Sequence, residues 1–217
     1  MHQPTHVALC GREKPLQLLH RHYRSGTPVV NSLRITAGTL RGRRLPVPPH
    51  DVRPTSERAR QAFFNIVGPR IDSARFLDLF AGSGIFSFEA VSRGAAAATA
   101  IDRDHGNVER IDRLAKEWNV PVNAVEGDVV AALRGVSETF DIVYADPPYD
   151  YHAYDQLLDA IKAHVSLAPE ALVAVEHRRR SDPFKAYRGP LQMARRAEYG
   201  EVWITLFADP SLRAGLA

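Results

Sequence analysis

The sequence predicts an α/β fold: an open, doubly wound sheet with helices on both faces, preceded by a small N-terminal β-hairpin and helix. The apolar run Phe76 to Phe80 ends in Ala81-Gly82-Ser83-Gly84, and a helical pattern follows at once. Apolar runs of strand length then alternate with helical patterns as far as Glu176, an order that builds a parallel sheet with helices packed on it. Two last runs, Met193 to Tyr199 and Val202 to Phe207, follow one another with no helix between them and so read as an antiparallel pair.

Taken in order, residues 1–32 show no period. Leu16, Leu18 and Leu19 offer one helical turn, but Pro15, Gly26 and Pro28 break the segment, which is read as an extension. Residues 33–54 are read as a basic hairpin. Leu33 to Gly38 and Leu40 to Leu45 alternate apolar with basic residues, so that one face packs and the other presents arginines, and Pro46, Pro48 and Pro49 end it. Residues 55–217 form the main body. Its first helix can be capped by Thr55 or Ser56 and carries Ala59, Ala62, Phe63, Ile66 and Val67 at i, i+3, i+4 spacing, with Gly68-Pro69 as its stop. Strand one is Phe76 to Phe80, with a helix running to about Arg93 and Gly94 at its end. Strand two is Ala97 to Ile101, followed by a helix with Val108, Ile111, Ala115 and Trp118 on one face. Strand three is Val122 to Val125, strand four Phe140 to Ala145, and strand five Ala171 to Val175. The helix between the last two carries Tyr154, Leu157, Leu158 and Ile161.

Composition narrows the function classes. A chain of 217 residues suits one domain with a short extra piece. No apolar run approaches the roughly 20 residues that span a bilayer, and the N-terminus has no clean apolar core of a secretory signal. The lone Cys10 excludes an internal disulfide and suits a reducing compartment, so a cytoplasmic protein is expected. His2 and His6 are spaced for one helix face, but Pro4 lies between them, and no zinc or other metal site is expected. The net charge of +3 conceals an asymmetry. Residues 1–60 hold 11 Lys+Arg against 3 Asp+Glu, whereas the remainder hold 17 against 22. A basic N-terminal part on an acidic body predicts that the first part meets a polyanion. A solvated basic tail is the plainer alternative for residues 1–32.

Two stretches carry chemistry. In an open α/β sheet the carboxyl end of the first strand is where a ligand binds, and Gly82 and Gly84 let the backbone turn and approach it. Asp102 follows about 20 residues on, where a carboxylate reaches a ribose hydroxyl. Together they predict a nucleoside-bearing cofactor. The second stretch, Asp146-Pro147-Pro148-Tyr149, caps strand four. Two prolines remove N–H donors and hold the chain extended, leaving carbonyls, a carboxylate and an aromatic face at the sheet edge. Those groups suit a planar base bearing an exocyclic amine, although Asp-Pro is also ordinary turn chemistry. Phe63, Phe64, Phe80, Phe86 and Phe88 read first as core; Phe80, flanking the glycine loop, is also carried as a cofactor contact.

With these residues in view, the chain resembles the S-adenosylmethionine-dependent methyltransferases that modify amino groups. More closely it resembles the RsmD-type family, 16S rRNA guanine-N2-methyltransferases. The likeness rests on Arg34-Ile35 with Gly38 and Arg41-Gly42-Arg43, on Arg53-Pro54-Thr55, on Phe64-Asn65, and on Asp78 to Gly84. It continues through Glu89-Ala90, Ser92-Arg93-Gly94-Ala95 and Asp146 to Tyr149, and covers roughly Leu33 to Phe207. The resemblance implies a Rossmann-like seven-stranded fold and S-adenosylmethionine as cofactor. Its methionine part would meet Gly82, Gly84 and Asp78, its ribose Asp102, and its adenine amino group Asp128, which can equally cap the helix beginning at Val129. It implies that Asp146 and the Pro147 carbonyl accept the two N–H bonds of a guanine amine while Tyr149 stacks on the base. Arg34, Arg41, Arg43, Arg44, Arg53 and Arg58 would contact RNA, with Arg53 alternatively reaching the cofactor carboxylate. The expected partner is 16S rRNA within the small ribosomal subunit, met by a monomer without membrane attachment.

Two other readings compete. One is an amino-methyltransferase acting on DNA adenine or a protein glutamine. Asp rather than Asn at 146, the basic hairpin and the lack of a large target-recognition insert favour RNA. The other is an NAD-binding oxidoreductase or a non-catalytic nucleotide-binding module. It stumbles on Ser87, which stands where the dinucleotide fingerprint needs its third glycine, and leaves residues 146–149 unexplained.

Overall fold

The structure, a computed structural model, describes residues 32–46, 54–179 and 182–212. Strands β1 (Ser32–Arg34) and β2 (Arg44–Pro46) form an antiparallel hairpin. Helix α1 (Pro54–Val67) follows, and a turn of 3₁₀ helix (Gly68–Ile71) leads to β3 (Arg75–Leu79). Then come α2 (Ile85–Ser92), β4 (Ala97–Asp102), α3 (His105–Trp118), β5 (Val122–Glu126), the single turn α4 (Val129–Ala132) and β6 (Thr139–Ala145). Helix α5 (Tyr154–His164), the long β7 (Ser166–Arg178), β8 (Gln192–Tyr199) and β9 (Val202–Ala208) complete the body.

One seven-stranded sheet runs in the order β5-β4-β3-β6-β7-β9-β8. Strands β3 to β7 are mutually parallel; β9 pairs antiparallel with β7 and with β8. From β3 the chain winds outward through β4 and β5, then returns to β6 on the other side. That reversal opens a crevice between the carboxyl ends of β3 and β6, the place where doubly wound sheets bind ligands.

The period of two in β3 divides the core. Phe76 faces one apolar layer with Phe63, Phe64, Phe88 and Ile111, while Leu77 and Leu79 face the other with Leu157, Leu158 and Ile161. Each layer covers one sheet face, so the sheet is buried on both sides, as near-continuous apolar strands require. The hairpin belongs to the first layer: Ile35, Leu40 and Leu45 are among its buried residues.

Several expectations need adjusting. The hairpin strands are three residues each, and residues 35–43 between them form a compact loop: Ile35 exchanges bonds with Arg43 and Gly42 across the hairpin, tight turns follow at Arg41 and Arg43, and Thr36, Ala37, Thr39 and Leu40 donate to α2 instead. Helix α1 begins at Pro54, so Thr55 and Ser56 lie within its first turn and neither is the cap; proline suits that first position because its missing N–H would be unpaired there. Strand β7 begins well before Ala171, at Ser166, across a register irregularity opposite Phe140 to Ile142. The expectations for Cys10, His2 and His6, for residues 1–31 of the extension and for Arg53 lie outside the described residues, while Ser32, expected in the extension, opens β1.

Candidate functional site

A cleft of about 340 Å³ opens at the carboxyl ends of β3, β4 and β6. Asp78, Phe80, Gly82, Asp102, Asp128, Asp146 and Pro147 all line it. One crevice therefore gathers residues widely separated in sequence, and its volume lies in the range of roughly 300–1,000 Å³ that small-molecule sites occupy.

Asp78 is the deepest group. It is 2% exposed, and its Oδ2 accepts hydrogen bonds from the Ser87 N–H (3.1 Å) and Oγ (2.7 Å). Burial raises its pKa to about 7, against the lowering effect of the Ser87 bonds. Ser87 thus holds the carboxyl at the position where a dinucleotide-binding loop would have glycine.

Asp102 organises the glycine loop. Its Oδ2 accepts the Gly82 N–H at 2.6 Å, and its Oδ1 accepts from the Asp104 N–H (2.9 Å) and Asn107 Nδ2 (3.2 Å). A carboxylate offers about four acceptor sites, so these bonds leave capacity for a ligand hydroxyl. The two glycines divide the work. Gly82 lines the cleft, whereas Gly84 does not; a Cβ on Gly84 would lie 2.7 Å from Ile111 Cγ1. Gly84, at φ 77°, instead lets α2 start close against α3. Phe80 adopts φ 62° without being glycine, and its ring meets that of Tyr151 edge-on at 5.3 Å. A bulky residue held there stores strain beside the cleft. Asp128 caps α4, accepting the Ala131 N–H at 3.1 Å, and still borders the cleft.

Residues 146–149 separate this cleft from a second cavity of about 270 Å³. Asp146, Pro147 and Tyr151 line both. Tyr149 lines only the second, is 44% exposed, and carries the Arg178 guanidinium over its ring at 3.6 Å. Glu176 also faces the second cavity and accepts the Tyr144 hydroxyl at 2.6 Å. Tyr144 is fully buried, lines the first cleft, and stacks on Phe86 with ring centroids 4.0 Å apart. Burial and the neighbouring Glu176 push its pKa well above the ordinary phenol value, which keeps it a donor. The sequence alone presents Tyr144 only as part of an apolar run and Glu176 only as a strand end. A hydroxyl-bearing residue inside an otherwise apolar strand is the available signal for the first.

The basic residues of the hairpin are exposed, as are Arg34 and Arg58. Arg43 packs its guanidinium over Trp118 at 5.2 Å, and Arg44 donates to Ser32 Oγ at 3.1 Å. The loop beneath them is fixed by Glu89 and Ser92 of α2. Glu89 accepts from the Thr36 N–H (2.9 Å), the Thr36 hydroxyl (2.5 Å), the Ala37 N–H (3.2 Å) and Arg93 Nε (2.9 Å). Ser92 Oγ accepts the Leu40 N–H and donates to the Ala37 carbonyl. Gly38, at φ 80°, sits so close to this helix end that a Cβ would lie 1.6 Å from the Ser92 carbonyl oxygen. The hairpin in turn places Leu33 in the wall of the first cleft.

Among the described residues no group of three or more His, Cys, Asp or Glu could hold a metal ion, and no helix is long and apolar enough to cross a membrane.

A seven-stranded sheet of this order, with acidic strand ends around a glycine loop, is the Rossmann-like fold of the methyltransferases. Within that class the chain belongs to the family described as conserved hypothetical protein 95, whose model matches residues 33–208. It is 37% identical over 146 residues to ribosomal RNA small subunit methyltransferase D of Escherichia coli K12, covering 66% of this chain and 74% of that protein. The solved structure of the Escherichia coli protein yhhF superposes with a TM-score of 0.71 at 31% identity, covering 82% of this chain and 97% of that one. An RNA methyltransferase from Salinibacter ruber, solved with S-adenosyl-L-homocysteine, shares the fold at TM-score 0.57 and 18% identity over 73% of this chain and 94% of that one.

Proposed function

We propose that the chain transfers a methyl group from S-adenosylmethionine to the exocyclic N2 amine of a guanine in 16S rRNA, within an assembled or partly assembled small subunit. The observation that carries this reading is the shared wall: Asp146 and Pro147 border both a cleft lined by strand-end acids and a second cavity lined by aromatic side chains. A transferase needs two adjoining sites of this kind, one per reactant.

The first cleft fits the cofactor. Asp78 lacks a cationic partner among its hydrogen bonds, and an ammonium group would favour its ionised form. Asp102 takes the ribose hydroxyls, Asp128 the adenine amine, and Phe80 and Gly82 pack against the rest. When bound, the cofactor supplies a methyl carbon made electrophilic by a sulfonium leaving group. The chain's own residues handle the base. Guanine N2 is a weak nucleophile because its lone pair is delocalised into the ring. Asp146 and the Pro147 carbonyl accept its N–H bonds, turn the lone pair towards the first cleft and stabilise the charge that develops on nitrogen. Once N2 carries the methyl group, its surplus proton would pass to the Asp146 carboxylate and then to water. Tyr149 holds the base by stacking, which requires it to be unpaired or flipped. Little beyond this positioning is needed.

The basic residues Arg34, Arg41, Arg43, Arg44 and Arg58 supply phosphate contacts, which position RNA without reading its sequence. Choosing one guanine therefore falls to a shape that protein-bound RNA presents. The test is transfer of labelled methyl from the cofactor to small subunits, and to the same RNA stripped of protein, both from a strain lacking the gene. N2-methylguanosine at one position, formed faster on subunits, is the expected product. Label in DNA, in protein or in no substrate would overturn the assignment.

A further inference from the structure

Resting on that reading, the second cavity carries an additional role. The last registered pair of β6 and β7 is Ala145 with Val175, so Asp146, just past the end of β6, and Glu176, within β7 and still paired with β9, come next on neighbouring parallel strands. Both line the second cavity. We propose that Glu176, held by the Tyr144 hydroxyl, accepts the guanine N1–H beside the amine taken by Asp146, and so distinguishes guanine from bases whose corresponding ring nitrogen is an acceptor.

The argument is one of matching donors and acceptors. Guanine presents N1–H and N2–H as adjacent donors. Adenine and cytosine each present an amine beside an unprotonated ring nitrogen. Two carboxylates in a row match the first pattern and oppose the second, because a lone pair would then face a carboxylate in a partly dry site. Sites built to hydrogen-bond a particular N–H reject analogues lacking it far more strongly than apolar pockets reject a missing methylene. Tyr144 makes Glu176 dependable. Its hydroxyl donates at 2.6 Å, and its ring packs against Phe86 and Phe63, with centroids 4.0 and 4.7 Å away. The same tyrosine borders the cofactor cleft, so the residue that orients the base reader also feels the other reactant's site. Tyr144 is a positioning residue here; Glu176 is the one that touches the base.

The experiment uses small subunits reconstituted with 16S rRNA that carries either guanosine or 2,6-diaminopurine riboside at the nucleotide the wild type methylates. Diaminopurine keeps the reacting amine but offers an acceptor at N1. The wild type should prefer guanosine by at least about a hundredfold in kcat/KM. Glu176→Gln, whose amide can donate to N1, should lose activity on guanosine yet shift the preference towards diaminopurine by at least about tenfold. Tyr144→Phe should lower kcat/KM on guanosine and narrow the preference less. A single cooperative urea-unfolding transition certifies that each variant is folded. A preference unchanged by Glu176→Gln, or a wild type indifferent to the two bases, overturns the proposal. Absence of any wild-type methylation of guanosine would instead overturn the parent reading.

Discussion

Asp78 and Glu89 bracket the first βα unit of the sheet, and both are withdrawn from water, at 2% and 0% exposure. Their surroundings differ. Glu89 collects two backbone N–H groups and a hydroxyl from the hairpin loop, and lies against Arg93 (2.9 Å) and Arg60 (3.6 Å). Asp78 has Ser87 and the nearby acids Asp102 and Asp146, which push its pKa the same way as burial does. A buried charge is tolerated when it is paired and hydrogen-bonded. By that measure Glu89 is complete within the fold, and Asp78 is not, as the proposed binding of a cationic group there requires. Within one motif-rich stretch, compensation separates the architectural acid from the one proposed to bind a ligand.

The largest effect should come from removing the compensated acid. Glu89→Ala strands the Thr36 and Ala37 N–H groups and leaves the buried Arg60 guanidinium, already below its usual pKa through burial, without its carboxylate partner. Breaking a buried ion pair from one side costs about 3–5 kcal/mol. Urea unfolding should show a loss of that size. A change below about 1 kcal/mol would mean that the hairpin is not held this way.

Removing the uncompensated acid should act in the opposite direction. A carboxyl whose folded pKa is raised from 3.8 to about 7 binds more protons folded than unfolded. Its stabilisation is full below the unfolded pKa and is lost as pH rises from about 4 through about 7, a swing of up to about 4 kcal/mol. Asp78→Asn should therefore flatten the stability curve over that window and leave the ligand-free protein at least as stable at pH 7. Affinity for S-adenosylhomocysteine should fall by tenfold or more, as for a lost charge-assisted hydrogen bond of about 1.5–3 kcal/mol. A wild-type curve already flat between pH 4 and 7 would remove the distinction between the two acids.

Asp102 falls between these cases, because it is partly satisfied from within yet lines the cleft. Asp102→Ala should loosen the glycine loop and weaken S-adenosylhomocysteine binding measured by calorimetry, while the global unfolding free energy moves by no more than about 1 kcal/mol. Unchanged affinity would take Asp102 out of the binding site and leave it as the anchor of Gly82.

The sheet was largely legible because each strand is an apolar run and each helix an amphipathic one, both set by local periodicity. Asp78, Asp102 and Asp146 were legible for a related reason: a strand end followed by a turn is a local pattern, and the doubly wound topology brings such ends together. What the sequence hid is tertiary. Gly84 and Gly82 look alike in a glycine loop, but only packing against Ile111 shows that Gly84 serves α2. Glu89 and Ser92 look like motif residues awaiting a chemical role, and their partners lie on the hairpin, far away in sequence. The link from Tyr144 to Glu176 crosses two strands and has no local signature.

The smallest effect on the fold belongs to the hairpin arginines, and here the comparison extends from buried charge to surface charge. Arg41, Arg43 and Arg44 are exposed, and the loop that bears them is held by Glu89 and Ser92 rather than by their own side chains. Replacing all three with alanine should change stability only through Arg43 on Trp118 and Arg44 on Ser32, interactions worth about 1 kcal/mol or less at the surface. Binding to RNA should respond differently. Each neutralised phosphate releases counterions, so the log–log salt dependence of subunit binding should flatten by up to about 0.7–0.9 for every phosphate no longer neutralised. Arg43 and Arg44 have intramolecular partners to give up on binding, so the triple variant should flatten the slope by less than the full value for three phosphates. A rigid loop also means that the defect should appear as weaker binding with little change in the rate at saturation. An unchanged slope would show that these arginines only solvate the hairpin, and would move the RNA interface to the exposed Arg178 and Arg179 at the end of β7, beside the second cavity that Arg178 lines.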